Sequence, residues 1–482
     1  MTFLRWFSYR GLGYFLAYFP GLFFIGLALW THRFFGDVSL DQALSTLAFG
    51  ADGVLGADAV FLKRFIEWCC FWPSVLAFFL CCGQYWGQRR WQWRRHFILP
   101  LLLLMGGLGA VVYQYSAWSF FKTRQSVSQD YFLQSYVDPH QVTFRVHQPK
   151  SLVLIYVESL ETTYTNKQLF DRDLLHSLTI LRDKHISFTN YEPMPGTQWT
   201  MAGIVATQCA LPLKQMTIFD RNRFTENVEH FLPRAQCLGD ILAAHGYKNI
   251  FLGGASLSFA GKGKFLTEHH YTQMIGQEEW TLKGLLNINQ NGWGLADDAL
   301  LAQAKIELAK LIKSKQLFNL TILTVDTHGD TGHLNAACMR KGYQDFKGIV
   351  ECTADSVADF ARYVEQQGWL EKVNLVIIGD HLAMQNPVAD KLNSIPERRI
   401  VNIILSKNHL VKKTETIVPF DLLPTVLDSL GFEYADGQLG LGLSGFRSYS
   451  EARVKDRIAY LRETVLYKSL TYNKLWSDKQ RN

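Results

Sequence analysis

Apolar residues are arranged in two different ways along the chain. In the first quarter they form long uncharged stretches, at about residues 12–30, 68–86 and 97–113. The first stretch, LGYFLAYFPGLFFIGLALW, is long enough to cross the roughly 30 Å hydrocarbon core of a bilayer as a helix. The pattern therefore predicts a transmembrane domain of three spans over residues 1–113. The alternative interpretation is that these stretches are buried core helices of a soluble protein.

Beyond this region the apolar residues occur in short runs that alternate with helical patterns. The runs lie at residues 151–157, 249–253, 318–325, 373–379 and 400–406. Helical patterns at 297–315 and 354–369 lie between them. Strands that alternate with helices predict an α/β fold with a largely parallel central sheet. We place this domain at residues 149–450, after a juxtamembrane connector at 114–148.

Charged residues beside the apolar stretches predict an orientation in the membrane. Arg5 and Arg10 precede the first stretch, and four arginines lie in the loop QRRWQWRRH between the second and the third. Positively charged loops stay on the cytoplasmic side of a membrane. We therefore expect a multi-pass membrane protein with a cytoplasmic N-terminus and with the domain after residue 113 outside the cytoplasm.

The last segment, residues 451–482, is rich in lysine and arginine and is predicted to be a basic C-terminal tail. Two interpretations stay open for it: a solvated helix, or a segment that contacts anionic membrane lipid headgroups. The net charge of the whole chain is only +6, and its positive charges are spread along the chain. We therefore expect no nucleic acid among the partners.

The cysteines also fall into two groups. Four lie in the second apolar stretch, where cysteine behaves as a small apolar residue. The other four are Cys209, Cys237, Cys338 and Cys352, in the domain expected outside the cytoplasm. An even number in that location predicts two disulfides. Proximity in sequence favours Cys209 with Cys237 and Cys338 with Cys352, and the alternative is four free buried thiols.

Polar side chains follow three of the apolar runs directly. They are Glu158 after the run at 151–157, Asp326, His328 and Asp330 after the run at 318–325, and Asp380 and His381 after the run at 373–379. Ligands collect beyond the carboxyl ends of parallel strands, so these side chains are expected to converge. Carboxylates and an imidazole suit a divalent cation such as Mn²⁺ or Zn²⁺. The alternative for each acidic residue alone is a helix cap.

The segment PGTQWTMAG offers two hydroxyl groups, Thr197 and Thr200. A threonine hydroxyl is a weak nucleophile unless its pKa is lowered, for example by coordination to a cation. A threonine near the expected cation site would therefore be a candidate nucleophile.

Several segments resemble those of a known family and occur in one order. They are VESL at 157–160, PGTQWTMAGIVATQCALPL at 195–213, SFAGKGKFL at 258–266, NGWGLADD at 291–298, TVDTHGD at 324–330, IIGDHLAM at 377–384 and PTVLDSLG at 424–431. Together they resemble the sulfatase-like phosphoglycerol transferases of the alkaline phosphatase superfamily, a group that includes the periplasmic glucan phosphoglycerol transferases and the lipoteichoic acid synthases. The resemblance implies an alkaline-phosphatase/sulfatase-like fold for residues 149–450.

The same resemblance implies roles for individual residues. Glu158, Asp380 and His381 would hold a divalent metal, most often Mn²⁺ in this group, with Zn²⁺ or Mg²⁺ as alternatives. A threonine of the PGTQWT segment would be the fourth ligand and the nucleophile, and the separation from Leu211-Pro212 favours Thr197 over Thr200.

Three further residues are expected at the substrate. His328 would lie beside the substrate phosphate, and Lys262 and Trp293 would contact the substrate. Lys262 stands where the synthases carry an arginine, and Ala260 replaces a tryptophan of the synthases, so the charge is kept but the guanidinium fork is lost.

The function implied is a membrane-anchored, metal-dependent transferase. It would move glycerol phosphate from phosphatidylglycerol, through a phosphothreonine-type intermediate, to an acceptor hydroxyl on an envelope glycan, and release diacylglycerol. One alternative is a phosphoethanolamine transferase of the same superfamily, which differs in the donor headgroup. The other is a non-catalytic membrane sensor that binds lipid or glycan.

Overall fold

The computed structural model describes residues 11–48, 59–91, 98–124, 130–214, 230–285, 293–329 and 331–477. The described residues form two compact units, one built from residues 11–44 and 59–123 and the other mainly from residues 130–477. Asp330, Arg5 and Arg10, and part of the arginine-rich loop at 88–96, lie outside the described residues.

The N-terminal unit consists of apolar helices. Its region contains the helices Leu12–Phe35, Leu40–Ala48, Ala59–Phe65, the π-helical Ile66–Phe71, Trp72–Trp91, Ile98–Gln114 and Ala117–Arg124. Among the described residues, two continuous helices are long and apolar enough to cross a membrane, Leu12–Phe35 and Leu62–Gly87. The third predicted span corresponds to Ile98–Gln114 followed by Ala117–Thr123, which bend by 63° against each other. The apolar helices are confirmed, whereas the count of three spans is not.

Two glycines allow close packing inside this unit. A Cβ atom added to Gly107 would lie 2.4 Å from the carbonyl oxygen of Gly21. The helices Leu12–Phe35 and Ile98–Gln114 therefore approach each other backbone to backbone, as small residues permit between apolar helices.

The second unit is built around a six-stranded sheet. Its strands are β1 (Ser151–Val157), β2 (Lys248–Gly253), β3 (Tyr271–Ile275), β4 (Phe318–Leu323), β5 (Val373–Gly379) and β6 (Asn402–Leu405). The order in the sheet is β3-β2-β4-β1-β5-β6, and every neighbouring pair is parallel except β5 and β6. The predicted α/β fold with a largely parallel sheet is confirmed.

Both faces of the sheet are covered, which explains why its strands read as continuous apolar runs. Along β1, Leu152, Leu154 and Tyr156 belong to the core on one face, whereas Val153 and Ile155 belong to the core on the other. The strand β3 was not predicted because its sequence, YTQMI, contains an exposed polar residue at Thr272 and no continuous apolar run.

The second unit also contains helices and short helical turns. They are Tyr131–Ser135, Pro139–Gln141, Thr162–Thr165, Lys167–Phe170, His176–Arg182, Thr200–Cys209, Leu238–Ala244, Phe259–Gly261, Lys262–Glu268, Gln277–Leu282, Asp297–Ser314, Ala336–Arg340, Phe346–Gln366, Trp369–Glu371, Ala389–Asn393, Pro419–Asp421, Leu422–Ser429, Ala435–Gly437, Glu451–Thr464 and Leu470–Leu475. Six strands of two residues complete the unit: Arg145–Val146, Asn190–Tyr191, Thr416–Ile417, Phe432–Glu433, Gln438–Leu439 and Gly442–Leu443.

One long helix begins earlier than its pattern suggested. The helix expected at 354–369 starts at Phe346, because the Asp345 side chain accepts a hydrogen bond from the Gly348 N–H at 2.9 Å and so caps the N-terminus. The helix expected at 297–315 spans Asp297–Ser314.

The segment expected as a basic tail packs on the same core as the sheet. Ile458, Leu461, Tyr472 and Trp476 are buried there. Arg457 forms an ion pair of 2.8 Å with the buried carboxylate of Asp421. The described part of this segment is therefore an integral layer of the second unit rather than a free tail.

Both predicted disulfides are present in the second unit. One joins Cys209 to Cys237, and the other joins Cys338 to Cys352. The four cysteines of the second apolar stretch are free.

Candidate active site

Three predicted metal ligands meet at the carboxyl end of the sheet. Glu158 follows β1, and Asp380 and His381 follow β5, which is the neighbour of β1 in the sheet. All three side chains are buried, and one ligand atom from each lies within 4.8 Å of the others. Residues more than two hundred positions apart in sequence converge because parallel strands end at the same edge.

The backbone around Glu158 is held in an unusual conformation. Ser159 has a φ of 57°, a left-handed value that is uncommon for a residue with a side chain. This conformation directs its N–H toward Oδ1 of Asp380 at 2.8 Å, while its hydroxyl donates to Oε1 of Glu158 at 2.9 Å. Such local strain concentrates at functional sites.

Two threonines of the loop after β4 fix Glu158 from the other side. The Thr324 hydroxyl accepts from the Glu158 N–H at 2.9 Å, and the Thr327 hydroxyl donates to the Glu158 carbonyl at 2.6 Å. Both residues lie in the segment TVDTHGD, but nothing in the sequence alone distinguished them from ordinary loop threonines.

The donor set fits a divalent cation. Oδ1 of Asp380 already accepts two backbone N–H groups, from Ser159 and His381, whereas its Oδ2 is buried without a hydrogen-bond partner among the described residues. Nδ1 of His381 pairs with the Leu382 carbonyl at 2.7 Å, so its Nε2 is left to face the carboxylates of Glu158 and Asp380, each at 3.4 Å. An oriented imidazole and an unused carboxylate oxygen are what a metal site requires.

The electrostatics of Glu158, Asp380 and His381 also favour a bound cation. Burial, and then the neighbouring Glu158 carboxylate, raise the pKa of Asp380 to about 7. Burial disfavours the imidazolium, but the charges of Asp380 and Glu158 raise the pKa of His381 to about 9. Burial also opposes ionisation of Glu158, and the facing His328 and His381 nevertheless hold the pKa of Glu158 below its ordinary value. The two carboxylates thus need positive charge beside them, which a divalent cation supplies.

A buried ion pair ties the two ligand-bearing loops together. The Arg398 guanidinium binds both carboxylate oxygens of Glu161, which is fully buried, and also donates to the Ala383 carbonyl. Glu161 in turn accepts from the Ala383 N–H at 3.0 Å. Glu161 lies three residues after Glu158, and Ala383 lies two residues after His381, so this clamp fixes the separation of the two loops that carry the candidate metal ligands. No local sequence pattern indicated this ion pair.

The structure separates the two threonines of the PGTQWT segment. Thr197 is only 1 % exposed, and its hydroxyl is engaged with Met194 on both sides, donating to the carbonyl at 2.8 Å and accepting from the N–H at 3.2 Å. Thr200 is half-buried, and its hydroxyl donates to Oε2 of Glu158 at 3.2 Å. The structure thus brings Thr200, and not the predicted Thr197, to the ligand cluster.

Thr200 also has a favourable electrostatic position. It is the first residue of the helix Thr200–Cys209, whose unpaired N–H groups and positive dipole end favour an anionic phosphate. This helix packs tightly on the cluster, since a Cβ atom added to Gly203 would lie 2.1 Å from the Asp380 carbonyl oxygen. Spacing to Leu211-Pro212 alone did not capture this geometry.

The predicted substrate residues lie around the same cluster. The ring centroids of His328 and Trp293 are 4.2 Å apart, and the Phe259 ring lies edge-on to Trp293 with a centroid distance of 6.1 Å. Burial lowers the pKa of His328, whose Nδ1 has no hydrogen-bond partner among the described residues. Phe259 was not predicted as part of this aromatic wall, although it lies in the segment SFAGK.

Lys262 is buried and electrostatically linked to the cluster. It follows Ala260 and Gly261, whose positive φ values of 55° and 73° turn the chain. Its ammonium donates to the Ser256 carbonyl at 3.4 Å. Burial lowers the pKa of Lys262 to about 8, against the opposing charges of Glu158, Glu278 and Asp380.

Asp326 does not join the ligand cluster. Its Oδ2 accepts from the Asn335 side chain at 2.7 Å and from the Asp297 N–H at 3.2 Å. Of the three polar residues after β4, His328 therefore faces the ligand cluster, Asp326 faces away from it, and Asp330 is not among the described residues.

Comparison with known proteins agrees with the fold and the cluster. A family model described as Sulfatase matches residues 150–432, more than half of the chain. The chain belongs to the sulfatase family. The segment matched contains Glu158, both threonines, His328 and the Asp380–His381 pair.

Individual relatives are consistent with this membership and with the resemblance stated above. The chain is 35% identical over 384 residues to phosphoglycerol transferase I of Escherichia coli O6:K15:H31 (strain 536 / UPEC), a match that covers 76% of this chain and 48% of the relative. Phosphoglycerol transferase I of Escherichia coli strain SMS-3-5 matches to the same extent. The chain thus spans about half the length of the curated relatives it matches.

A solved structure shows the same fold. The lipoteichoic acid synthase LtaP from Listeria monocytogenes superposes with a TM-score of 0.51 at 14% identity, covering 76% of this chain and 98% of that one. At this identity the similarity concerns the fold alone.

Proposed function

We propose that the protein transfers glycerol phosphate from phosphatidylglycerol to a hydroxyl of an envelope glycan and releases diacylglycerol. The observation that carries this proposal is the hydrogen bond from Thr200 to Glu158, at the N-terminus of a helix and beside Asp380 and His381. A hydroxyl in that position is suited to attack a phosphorus atom. The name of the relatives at 35% identity supports glycerol phosphate as the group transferred.

In the first step we assign Thr200 as the nucleophile, in place of Thr197. The Thr200 oxygen attacks the phosphorus of the donor, the bond to the diacylglycerol oxygen breaks, and glycerol phosphate stays on the threonine. The proton lost from the Thr200 hydroxyl is balanced by the one that the departing diacylglycerol oxygen takes up. The N–H groups at the start of the helix Thr200–Cys209 and the ammonium of Lys262 offset negative charge on the phosphoryl oxygens. Trp293 and Phe259 would shield one side of the pocket from water.

The residues Glu158, Asp380 and His381 would hold the metal, with Thr200 as the fourth ligand, and we expect Mn²⁺. When bound, such an ion lowers the pKa of a coordinated hydroxyl and neutralises phosphoryl charge.

In the second step an acceptor hydroxyl attacks the same phosphorus and releases Thr200. His328 suits this step because burial lowers its pKa, so its neutral form dominates at neutral pH. A neutral imidazole offers one N–H to a phosphate oxygen and one lone pair for the proton of the acceptor hydroxyl.

The location of the enzyme follows from the same proposal. The apolar N-terminal helices would anchor the chain in the bacterial inner membrane, where the lipid donor resides. Two disulfides in the second unit support a location outside the cytoplasm, because disulfides persist in oxidising compartments.

The test is turnover of defined lipids by the full chain in detergent with Mn²⁺. Phosphatidylglycerol labelled in the glycerol headgroup should yield diacylglycerol and a labelled acceptor. Phosphatidylethanolamine in parallel separates the two donor headgroups. Release of diacylglycerol from phosphatidylethanolamine alone would replace the donor assignment, and no release from either lipid with Mn²⁺, Mg²⁺ or Zn²⁺ would overturn the proposed activity.

A further inference from the structure

A second pair of buried carboxylates lies behind the loop that carries His328. Asp297 and Asp326 are each 1 % exposed and interact electrostatically with each other. They are joined directly, because the backbone N–H of Asp297 donates to Oδ2 of Asp326 at 3.2 Å. Neither residue belongs to the metal cluster, so the pair has no part in the chemistry proposed above.

The Asp297 carboxylate holds the start of the His328 turn. Its Oδ1 accepts the backbone N–H of Val325 at 2.7 Å and that of Asp326 at 3.2 Å. The turn then closes on itself, since the His328 N–H donates to the Val325 carbonyl at 2.9 Å. The position of the imidazole therefore depends on a carboxylate that lies outside the turn.

Two neutral side chains hold the carboxylates from the far side. The Thr353 hydroxyl donates to Oδ2 of Asp297 at 3.0 Å, and the Asn335 amide donates to Oδ2 of Asp326 at 2.7 Å. Asn335 also caps the helix Ala336–Arg340 through the Cys338 N–H at 2.8 Å.

The Cys338–Cys352 disulfide connects these two supports. Cys338 lies in the helix that Asn335 caps, and Cys352 directly precedes Thr353 in the helix Phe346–Gln366. The bridge fixes the two helices against each other and so fixes the spacing of the two donors.

We propose that Asp297 and Asp326, braced through Asn335 and Thr353 by the Cys338–Cys352 disulfide, are positioning residues that hold His328 at the active site. The assignment of a catalytic effect rests on the proposed role of His328. The structural part of the inference is independent of that role, because it concerns only the hydrogen bonds that hold the backbone of Val325 and Asp326.

Asp326→Ala and Asp326→Asn form a matched pair of variants for the test. The alanine leaves the Asn335 amide and the Asp297 N–H without an acceptor, whereas the asparagine carbonyl still accepts from both. A Cys338→Ser/Cys352→Ser variant removes the brace, and a Cys209→Ser/Cys237→Ser variant is the control disulfide. The metal content of each full-length protein verifies that the ligand cluster is intact.

Two measurements are made on each variant: hydrogen exchange of the segment 325–328 and turnover of phosphatidylglycerol. We expect Asp326→Ala and the Cys338/Cys352 variant to exchange this segment faster and to lose about 10²-fold in kcat at unchanged metal content, the loss typical of a misplaced catalytic group. In Asp326→Asn and in the Cys209/Cys237 variant, the segment 325–328 should exchange its amide hydrogens at the same rate as in the unmodified protein.

Unchanged exchange in both Asp326→Ala and the Cys338/Cys352 variant would overturn the inference. So would an Asp326→Asn variant that exchanges as fast as Asp326→Ala. If the unmodified protein releases no diacylglycerol, the proposed function fails, yet the exchange experiment still decides whether this network holds the turn.

Discussion

Two clusters of buried carboxylates lie beyond neighbouring strands of one sheet, and their surroundings differ. In each cluster one carboxylate oxygen, Oδ2 of Asp380 and Oδ1 of Asp326, has no hydrogen-bond partner among the described residues. An imidazole nitrogen and a threonine hydroxyl face the Glu158–Asp380 cluster. Around Asp297 and Asp326, backbone N–H groups, an amide and a hydroxyl from neutral residues occupy the other three carboxylate oxygens. The partners, rather than the burial of the acids, therefore distinguish the candidate cation site from the proposed structural brace.

The same difference appears in how the charges are balanced. Burial raises the pKa of Asp297 to about 6, with no cationic side chain among the largest contributions. Burial and the mutual repulsion of the two acids raise the pKa of Asp326 as well, so this pair favours protonation over a second negative charge. Around Asp380, by contrast, His381 and Lys262 supply positive charge, and a bound cation would complete it.

The largest expected effect comes from Thr200, the hydroxyl that contacts the cation cluster. Thr200→Ala should lower turnover of phosphatidylglycerol by on the order of 10⁴-fold or more, the scale of losing a nucleophile. The matched variant Thr197→Ala should keep most of the activity and lower the free energy of unfolding by about 1–3 kcal/mol, because it removes the hydrogen bonds to Met194. Kinetics and denaturant unfolding of both variants measure these quantities, and the reverse pattern would restore Thr197.

The next largest effect is expected from replacing one acid in each of the two clusters and comparing the bound metal. Asp380→Asn removes a ligand charge and should cost at least about 10³-fold in turnover together with the bound metal. Asp326→Asn, in the other cluster, should retain the metal. Elemental analysis of the purified proteins measures this, and equal metal loss in the two variants would mean that both clusters hold cations.

A smaller effect is expected from the clamp between the two ligand loops. Arg398→Ala leaves Glu161 buried without its guanidinium and loosens the link between the Glu158 and His381 loops. We expect metal affinity to fall by about 10–100-fold, as for other residues that support metal ligands. Competition with a chelator measures the affinity, and Arg399→Ala, beside the clamp, is the control. An unchanged affinity for Arg398→Ala would show that the strands alone position the ligands.

The smallest effect concerns pH. The pKa of Lys262 is lowered to about 8, so its ammonium loses its proton as the pH rises through this value. Turnover should then fall, by about tenfold from pH 8 to pH 9.5, because the charge that offsets the phosphate is lost. Lys262→Arg stays charged and should remove this alkaline limb. If turnover of Lys262→Arg falls at the same alkaline pH as that of the unmodified protein, the fall is caused by another titrating group.

Much of the fold could be predicted because its strands are buried on both faces. The runs at 151–157 and 373–379 match β1 and β5, and the candidate metal ligands directly follow those strands. The strand β3 was not predicted, because an edge strand with polar positions lacks a continuous apolar run. The number of membrane spans could not be predicted either, because hydropathy does not reveal the 63° bend after Gln114.

The site was predictable only as far as strand ends determine it. The convergence of Glu158, Asp380 and His381 follows from topology, whereas the hydrogen bonds of Thr197 and Thr200 depend on the turn before a helix, which spacing does not specify. Glu161 and Arg398 lie 237 positions apart, and no local pattern relates them.

The assignment of Thr200 as the nucleophile is tested most directly by locating the covalent intermediate. The full chain with Mn²⁺ is mixed with phosphatidylglycerol, quenched with acid within the first turnovers and digested, and peptide fragmentation assigns the added glycerol phosphate to one residue. We expect the modification on Thr200. Modification of Thr197, or diacylglycerol release with no modified threonine, would rule out Thr200 as the nucleophile.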